Sequence, residues 1–293
     1  MTIFKGSGVA IVTPFNEDGR VNYDLLGELI EFHIKNNTDA IIAAGTTGES
    51  ATLDDEEHLS LIEYTVKKVN GRIPVIGGTG SNDTRHGINL SVESCKLGVD
   101  GLLMVTPYYN KTSQKGLIEH FTAMAQKCDK PIILYNVPSR TQVNLEAETV
   151  YELSKLENIV GLKDATGDLS YTAEVIRLCG PDFAVYSGND DVIVPLLSLG
   201  GVGVISVVAN ILPQETHDLV DLYLQGKVKE SAALQLSLKP IIDALFVEPN
   251  PIPVKRALKL MGYNVEPFRL PLTTASDETT KLLEGFMKER NLI

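Results

Sequence analysis

Short runs of apolar residues recur along the chain, and polar residues separate them. Most of these runs are continuously apolar rather than alternating, which is typical of parallel strands covered on both faces. Eight runs are evident, at residues 8–15, 40–45, 74–80, 101–109, 131–138, 158–166, 183–190 and 201–210. The pattern therefore predicts eight strands of one parallel sheet.

Helical periodicity fills the intervals between the runs. After the second run, for example, Leu59, Ile62, Val66 and Val69 fall on one helical face, and Gly71 marks the end of that helix. Strands that alternate with helices predict either a (β/α)8 barrel or a doubly wound open sheet. The count of eight, and the lack of a GxGxxG motif after the first strand, favour the α/β fold class of the TIM barrel.

The chain beyond residue 210 shows no strand pattern. Four helical segments punctuated by glycine and proline follow, at residues 213–226, 227–246, 251–262 and 276–290. We therefore expect a barrel at residues 1–210, whose closing helix extends to about residue 225. Residues 226–293 are expected to form a C-terminal helical region packed on that barrel.

Composition excludes some classes of partner. The 293 residues include 26 Lys and Arg against 38 Asp and Glu, a net charge of −12, which argues against nucleic acid or an anionic membrane. No stretch approaches the ~20 apolar residues that span a bilayer, and no secretory signal is evident. Cys95, Cys128 and Cys179 lie late in predicted helices, where reduced cysteine behaves as a small apolar residue. We expect a cytoplasmic protein.

A lysine stands at the end of one apolar run. Lys163 follows the run Ile159–Leu162, and the carboxyl ends of strands are where TIM barrels carry their active sites. Withdrawal from water disfavours the charged form of an ammonium, and a neutral lysine amine can attack a carbonyl to form a Schiff base. The alternative is a structural ion pair with Asp164 or another acid. The strand-end position favours the nucleophile.

Further polar side chains near strand ends offer complementary chemistry. Tyr135 closes the strand before Lys163, so its phenol can relay protons there, unless it is simply a tyrosine at the mouth of the barrel. Arg140 suits bidentate binding of a carboxylate, although loop arginines are often only solvated. Thr46 and Thr47, in GTTGES, can hold a small carboxylate at a helix N-terminus or form a tight turn.

Other common kinds of site are not supported by the sequence. GTTGES lacks the GK[ST] ending of a nucleotide-binding loop, and no GxSxG motif of a serine hydrolase is present. The five histidines show neither HxxxH nor HxH spacing, so no metal site is expected. We expect His58 and His120 on solvated or half-buried helix faces.

Six motifs in chain order resemble the pyruvate-dependent class I aldolase superfamily and, within it, the dihydrodipicolinate synthase family. They are GTTGES, GTGSND, TPYYN, YNVPSRT, GLKDATGD and YSGND. The resemblance runs from about residue 6 to NPIPVK (250–255) and RLPL (269–272). It implies a lyase that condenses pyruvate with L-aspartate 4-semialdehyde on the diaminopimelate route to lysine. It also implies that no cofactor is needed and that the chain assembles as a homotetramer, a dimer of dimers.

The resemblance further implies which residues perform the chemistry. Lys163 would form the Schiff base with pyruvate, and Tyr135 would donate and accept protons. Thr46 would link Tyr135 to Tyr109 in a proton relay, with Tyr109 reaching across a dimer interface into the active site of the neighbouring subunit.

Substrate-binding roles are implied in the same way. Thr47 would hold the carboxylate of pyruvate, and Gly188 and Ile205 would line its pocket through backbone groups. Arg140 would bind the carboxylate of L-aspartate 4-semialdehyde. NPIPVK is expected to have a structural role.

Feedback-sensitive members of the family bind lysine between subunits. The residues that match this effector site are Ser50, Ala51, His58, Asn82 and Tyr108. Two positions depart from the pattern: Asp55 stands where a histidine is usual, and His86 replaces the glutamate that receives the ammonium of the effector. We therefore expect weak or absent inhibition by lysine.

Two other functions are weighed against this one. N-acetylneuraminate lyases and 2-keto-3-deoxy sugar-acid aldolases of the same superfamily share the tyrosine and the lysine, but they tend to carry GSTGE and usually lack the arginine. Thr46 and Arg140 therefore favour the synthase. A non-catalytic barrel that binds a keto acid would have lost some of the reactive groups, and all of them are present here.

Overall fold

A computed structural model describes residues 2–293, and eight parallel strands in chain order close into a barrel. The strands are β1 Gly6–Ala10, β2 Ala40–Ala43, β3 Val75–Gly78, β4 Gly101–Val105, β5 Ile132–Asn136, β6 Ile159–Asp164, β7 Ala184–Ser187 and β8 Gly203–Ser206. The TIM-barrel prediction is confirmed. All strands except β1, which begins two residues early, lie within the predicted runs. The runs were too long at their carboxyl ends, because those residues leave the hydrogen-bond ladder to form the mouth of the barrel.

Helices connect the strands and follow the last one. They are α1 Tyr23–Lys35, α2 Asp55–Val69, α3 Thr84–Lys96, α4 Gln114–Ala125, α5 Pro138–Thr141, α6 Ala147–Ser154, α7 Leu169–Cys179, α8 Ile193–Ser198, α9 Pro213–Leu224, α10 Val228–Ala244, α11 Ile252–Leu260 and α12 Asp277–Glu289. The last four correspond to the four predicted segments. Helix α9 packs against β1 and β8, and α10 and α12 pack on one another. The division of the chain at about residue 225 stays a prediction. Within residues 2–293, no helix is both long enough and apolar enough to cross a bilayer.

The core consists of two apolar layers on either side of the sheet. One layer fills the inside of the barrel, and the other lies between the strands and the surrounding helices. At the amino end of the barrel, Phe4 stacks on Tyr186 with ring centroids 4.5 Å apart, and the phenol of Tyr186 donates to the carbonyl of Phe4 at 2.7 Å. This contact helps to close the interior at the amino end of the barrel.

An irregularity in β6 sets its register against β5. Ile159 pairs with Ile132, but the next pair is Gly161 with Ile133, so Val160 is an extra residue in the ladder. The side chains of a strand alternate between the two faces, so one extra residue reverses the face on which every later side chain lies.

The bulge decides the direction of Lys163. With it, Lys163 pairs with Tyr135, whose side chain lies inside the barrel. Without it, Lys163 would be opposite Asn136, whose side chain bonds to the loop and helix outside the strands at Leu145 and Tyr171. A single inserted residue therefore places the amine inside the barrel mouth.

Buried histidines make the fold sensitive to acid. His33, on α1, is 1% exposed, and its Nδ1 lies 3.1 Å from Oγ1 of Thr38. Burial lowers the pKa of His33 to about 3. In the unfolded chain the group titrates at about 6.5, so between these values the unfolded state binds the additional proton. The contribution of His33 to the free energy of unfolding is therefore fully present above about pH 6.5. It decreases as the pH is lowered, by about 1.4 kcal/mol per pH unit once the histidine of the unfolded chain is protonated.

The His33→Asn variant tests this pH dependence. An asparagine amide can replace Nδ1 as the partner of Thr38 but does not titrate. We expect lower stability at pH 7 and a shallower loss between pH 6.5 and 5, where few carboxylates titrate. Urea unfolding at each pH measures both quantities, and parallel curves for the variant and the wild type would contradict the assignment.

Candidate active site

A cavity of about 190 Å³ opens at the carboxyl ends of the strands. Six of the residues predicted from the sequence line it: Thr46, Thr47, Tyr135, Arg140, Lys163 and Gly188. A larger surface cleft of about 620 Å³, near Asn16 and Asp24, contains none of them. The structure thus brings together residues from four separate strand ends around one small space.

Lys163 and Tyr135 form the centre of the cavity. Both are buried, at 6% and 7% exposure, and they are cross-strand neighbours on β6 and β5. The Nζ atom of Lys163 lies 4.2 Å from the centroid of the Tyr135 ring. The amine therefore lies against the face of the tyrosine ring in a site largely removed from water, an arrangement that suits a nucleophile and a neighbouring proton carrier.

The carboxylate of Asp164, the residue after Lys163, is hydrogen-bonded to other groups. Asp164 accepts hydrogen bonds from the backbone N–H of Thr166 at 2.9 Å, from the hydroxyl of Thr166 at 2.7 Å and from the hydroxyl of Thr172 at 2.5 Å. Lys163 forms no ion pair with a carboxylate of residues 2–293. The alternative interpretation of Lys163 as the partner of Asp164 is wrong, because successive residues of a strand face opposite sides of the sheet.

Gly188 is needed at the cavity wall for close packing. Its N–H donates to the carbonyl of Asp164 at 2.7 Å, and a Cβ atom at this position would lie 2.7 Å from Cβ of Ala165. Ile205 is fully buried inside the barrel and does not line the cavity with its side chain. The backbone roles of Gly188 and Ile205 in binding stay predictions.

A buried acid holds the loop after β8. The Oδ2 atom of Asp190 accepts from the N–H groups of Val207 and Val208 at 3.0 and 2.9 Å. Burial raises the pKa of Asp190, while hydrogen bonds from this loop and the charge of Lys163 act in the opposite direction. Sequence reasoning missed Asp190, although it lies in the quoted motif YSGND.

Asn250 is a second residue that sequence reasoning missed. It lines the cavity at 6% exposure, its Nδ2 donates to Oγ1 of Thr47 at 3.0 Å, and its carbonyl accepts from Nη2 of Arg140 at 3.0 Å. It follows α10, far from any strand end, so the rule that located the other residues could not find it. The signal was the motif NPIPVK, to which only a structural role was given.

Tyr109 lies outside the cavity. Its side chain is 93% exposed, and its backbone has a φ of +71°, which is uncommon for a residue other than glycine. Thr46 and Tyr135 line the cavity, so the structure joins two of the three residues of the predicted relay. The third connection stays a prediction that requires another subunit.

A second cavity of about 390 Å³ adjoins the first. Thr46, Val137, Arg140 and Asn250 line both. Of the predicted effector residues, Ser50, Ala51, His58 and Tyr108 line the second cavity. Asn82 does not, but its Nδ2 donates to the carbonyl of Tyr108 at 3.0 Å. The two cavities therefore share a wall that includes substrate-binding candidates.

The two departures from the effector pattern contact one another. Nε2 of His86 lies 2.8 Å from Oδ1 of Asp55, and Nδ1 of His86 lies 3.0 Å from the hydroxyl of Ser81. Both residues line the second cavity. The carboxylate of Asp55 is thus already paired with the imidazole of His86.

Two histidines are more buried than the sequence suggested. His58 and His120 are each 6% exposed, and burial lowers the pKa of both. Nε2 of His58 lies 2.7 Å from the carbonyl of Gly78, and Nδ1 of His120 lies 2.9 Å from Oγ1 of Thr84. The expectation of solvated or half-buried faces was wrong, because each ring finds a hydrogen-bond partner on a neighbouring element. Across residues 2–293, no group of three or more His, Cys, Asp or Glu is placed to hold a metal ion.

Comparisons with known proteins agree with this arrangement. The family model of the dihydrodipicolinate synthetase family matches residues 3–290. A 4-hydroxy-tetrahydrodipicolinate synthase of Thermoanaerobacter sp. (strain X514) is 55% identical over 294 residues, covering 100% of this chain and 99% of that protein. The crystal structure of dihydrodipicolinate synthase from Aquifex aeolicus is similar with a TM-score of 0.97 at 46% identity, covering 99% of each chain. The enzyme from Cyanidioschyzon merolae, solved with lysine bound, has a TM-score of 0.97 at 42% identity and covers 100% of both chains.

Proposed function

The chain belongs to the dihydrodipicolinate synthetase family, and from that premise we propose that Lys163 carries its reaction as a Schiff base with pyruvate. The protein is a lyase of the class I aldolase type with 4-hydroxy-tetrahydrodipicolinate synthase activity. This activity condenses pyruvate with L-aspartate 4-semialdehyde on the diaminopimelate route to lysine. The observation that carries the proposal is a buried amine, unpaired with any described carboxylate, beside a buried phenol.

The first half of the reaction prepares the nucleophile. The amine of Lys163 attacks the keto carbon of pyruvate, and loss of water leaves an imine. The protonated imine withdraws electrons, so the methyl carbon loses a proton and the imine becomes an enamine. Tyr135, whose ring lies 4.2 Å from the Lys163 amine, is the neighbouring acid–base group that carries protons in both steps. The hydroxyl of Thr47, at the edge of the cavity, holds the carboxylate of pyruvate.

The second half forms the product and frees the enzyme. The enamine carbon attacks the aldehyde of L-aspartate 4-semialdehyde, whose carboxylate is bound by Arg140 at the cavity mouth. The amine of the same substrate then attacks the imine carbon and closes the ring. Expulsion of Lys163 restores its free amine, and the sum is one molecule of each substrate converted to product and one water.

The sugar-acid lyase alternative is not supported. The relatives compared above are synthases. Arg140 is an exposed residue that lines the cavity, and its Nη2 is held by the carbonyl of Asn250 at 3.0 Å. A guanidinium there suits the second carboxylate of an amino-acid aldehyde better than a sugar hydroxyl.

A paired assay tests the function. We expect turnover of pyruvate with L-aspartate 4-semialdehyde and no cleavage of N-acetylneuraminate by the same preparation. Treatment with pyruvate and borohydride should add the mass of reduced pyruvate to the peptide that contains Lys163. Cleavage of the sugar acid without condensation would favour the alternative, and a folded protein with neither activity nor adduct would favour a keto-acid binder.

We also propose that the active unit is a homotetramer built as a dimer of dimers. Tyr109 supports this, because a fully exposed tyrosine held in an unusual backbone conformation is typical of an interface. A second subunit placing its Tyr109 near Thr46 would complete the relay. Light scattering on the purified protein measures the mass, and a monomer with full activity would refute the need for that contact. The biosynthetic role and the three free thiols support a cytoplasmic location.

We expect lysine to inhibit weakly or not at all. His86 offers no anionic partner for an ammonium, and the carboxylate of Asp55 is already paired with it at 2.8 Å. A missing charge-assisted hydrogen bond costs about 1.5–3 kcal/mol, or one to two decades of affinity. His86→Glu should lower the lysine concentration for half inhibition about tenfold or more, and His86→Gln should not. Sub-millimolar inhibition of the wild type would contradict this expectation.

A further inference from the structure

The C-terminal helical region supplies one residue that contacts two substrate-binding side chains. Asn250 reaches Thr47 with its side chain and Arg140 with its backbone carbonyl, both at 3.0 Å. Thr47 and Asn250 lie 203 residues apart in sequence, and both are buried, at 2% and 6% exposure. The contact is therefore held by the tertiary structure and is shielded from water.

The direction of this hydrogen bond determines what Thr47 can do. A threonine hydroxyl has one hydrogen to donate and two lone pairs. The amide Nδ2 of Asn250 is the donor, so it occupies a lone pair of Thr47 Oγ1 and leaves the hydroxyl hydrogen free. That hydrogen is what a carboxylate in the cavity needs, since a carboxylate only accepts.

We propose that Asn250 is a positioning residue that orients the Thr47 hydroxyl toward the carboxylate of pyruvate. The proposal rests on the proposed function, in which Thr47 binds that carboxylate. The carbonyl of Asn250 fixes Arg140 at the same time, so one residue sets the spacing between the two carboxylate-binding groups.

A buried ion pair joins the loop that contains Thr47 to the segment that contains Asn250. Five residues beyond Asn250, Nζ of Lys255 lies 2.6 Å from Oε1 of Glu49 and 3.1 Å from the carbonyl of Thr13. The side chains of Lys255 and Glu49 are 0% and 1% exposed. Glu49 follows Thr47 in the same loop and has a φ of +55°. The loop and the segment after α10 are therefore joined at two points, one of them a fully buried charge pair.

The substitution Asn250→Asp reverses the direction of the bond. A carboxylate at this position accepts the hydroxyl hydrogen of Thr47 and adds a negative charge near the carboxylate of pyruvate. We expect the KM for pyruvate to rise about tenfold to a hundredfold. The KM for L-aspartate 4-semialdehyde should change by less than threefold, because the backbone carbonyl that holds Arg140 is retained.

Asn158→Asp is the matched control. Nδ2 of Asn158 donates to the carbonyls of Ala125 and Cys128 at the amino end of β6, away from the cavity. This variant should lose thermal stability while the KM for pyruvate stays within twofold of the wild type. If Asn250 had a purely structural role, Asn250→Asp would likewise lose thermal stability without a change in the KM for pyruvate.

A double-mutant cycle keeps the proposal testable if Asn250→Asp does not fold. Asn250→Ala should raise the KM for pyruvate about threefold to tenfold in the wild type, but less than twofold in a Thr47→Val background. Equal effects in both backgrounds, or an unchanged KM in Asn250→Ala and Asn250→Asp, would overturn the proposal. The wild type is assayed in parallel for the borohydride adduct at Lys163. Its absence would refute the proposed function, whereas its presence with an unchanged KM in the variants would refute only the role of Asn250.

Discussion

Replacing Lys163 with methionine will abolish the condensation, with turnover at least about 10⁴-fold below the wild type. Methionine retains an unbranched chain that can lie on the Tyr135 ring but cannot form an imine. Arg140 is the other cationic side chain of the cavity, and a guanidinium stays protonated, so it cannot replace the amine. A steady-state assay and mass analysis after borohydride treatment measure turnover and adduct separately. Substantial turnover or an adduct in Lys163→Met would contradict the mechanism.

Lys255→Met is the matched control for this prediction. Lys255 is as buried as Lys163, but it is paired with Glu49 at 2.6 Å. Its loss leaves a buried carboxylate without a partner, so we expect a fall of about 3–5 kcal/mol in the free energy of unfolding. The ion pair also joins the loop of Thr47 to the segment of Asn250, so the KM for pyruvate should rise. At saturating pyruvate the folded variant should still form the adduct at Lys163. If Lys255→Met forms no adduct at saturating pyruvate, the loss of any buried lysine would abolish the reaction. The result for Lys163→Met would then not identify Lys163 as the nucleophile.

Tyr135→Phe is expected to have the second largest effect, a fall in kcat of about 10²- to 10⁴-fold. The variant keeps the ring over which Lys163 lies at 4.2 Å and removes only the phenol. Imine formation should therefore slow without being lost, because the nucleophile remains in place. Rapid-mixing measurement of adduct formation, followed by borohydride trapping, separates this step from turnover. A kcat near that of the wild type would exclude the phenol as the proton carrier.

Tyr186→Phe controls for the loss of a buried phenol. Tyr186 is the cross-strand neighbour of Lys163 on β7, but its hydroxyl donates to the carbonyl of Phe4 at the closed end of the barrel, and its side chain does not line the cavity. Its removal should cost about 1 kcal/mol of stability and leave kcat nearly unchanged. A comparable loss of kcat in both variants would indicate that the effect comes from a general change in the barrel.

Much of this architecture could be predicted from local patterns. Continuously apolar runs separated by amphipathic helices located all eight strands, because a parallel sheet buried on both faces needs apolar side chains in both directions. The polar ends of those runs located most of the cavity, because only the carboxyl ends of the strands face the mouth. Lys163 was identified by this contrast between an apolar strand and a charged end.

Errors arose where burial depends on a neighbouring element. His58 and His120 were expected nearer to solvent, yet each bonds to a group on another segment. Asn250 was assigned only to a structural motif, since nothing in NPIPVK indicates which loop it meets. The position of Tyr109 at a subunit interface, by contrast, stays a prediction, since a single chain leaves its side chain exposed.

The sequence by itself determined the fold class and singled out Lys163 as the candidate nucleophile, since periodicity and strand-end polarity are local properties of the chain. The tertiary structure alone decided where that amine points and what surrounds it. The extra residue Val160 reverses the faces of the rest of β6, and so directs Lys163 toward Tyr135. Contacts such as that between Asn250 and Thr47 join residues far apart in sequence, and only the closure of the barrel and the packing of the C-terminal region against it bring them within 3.0 Å.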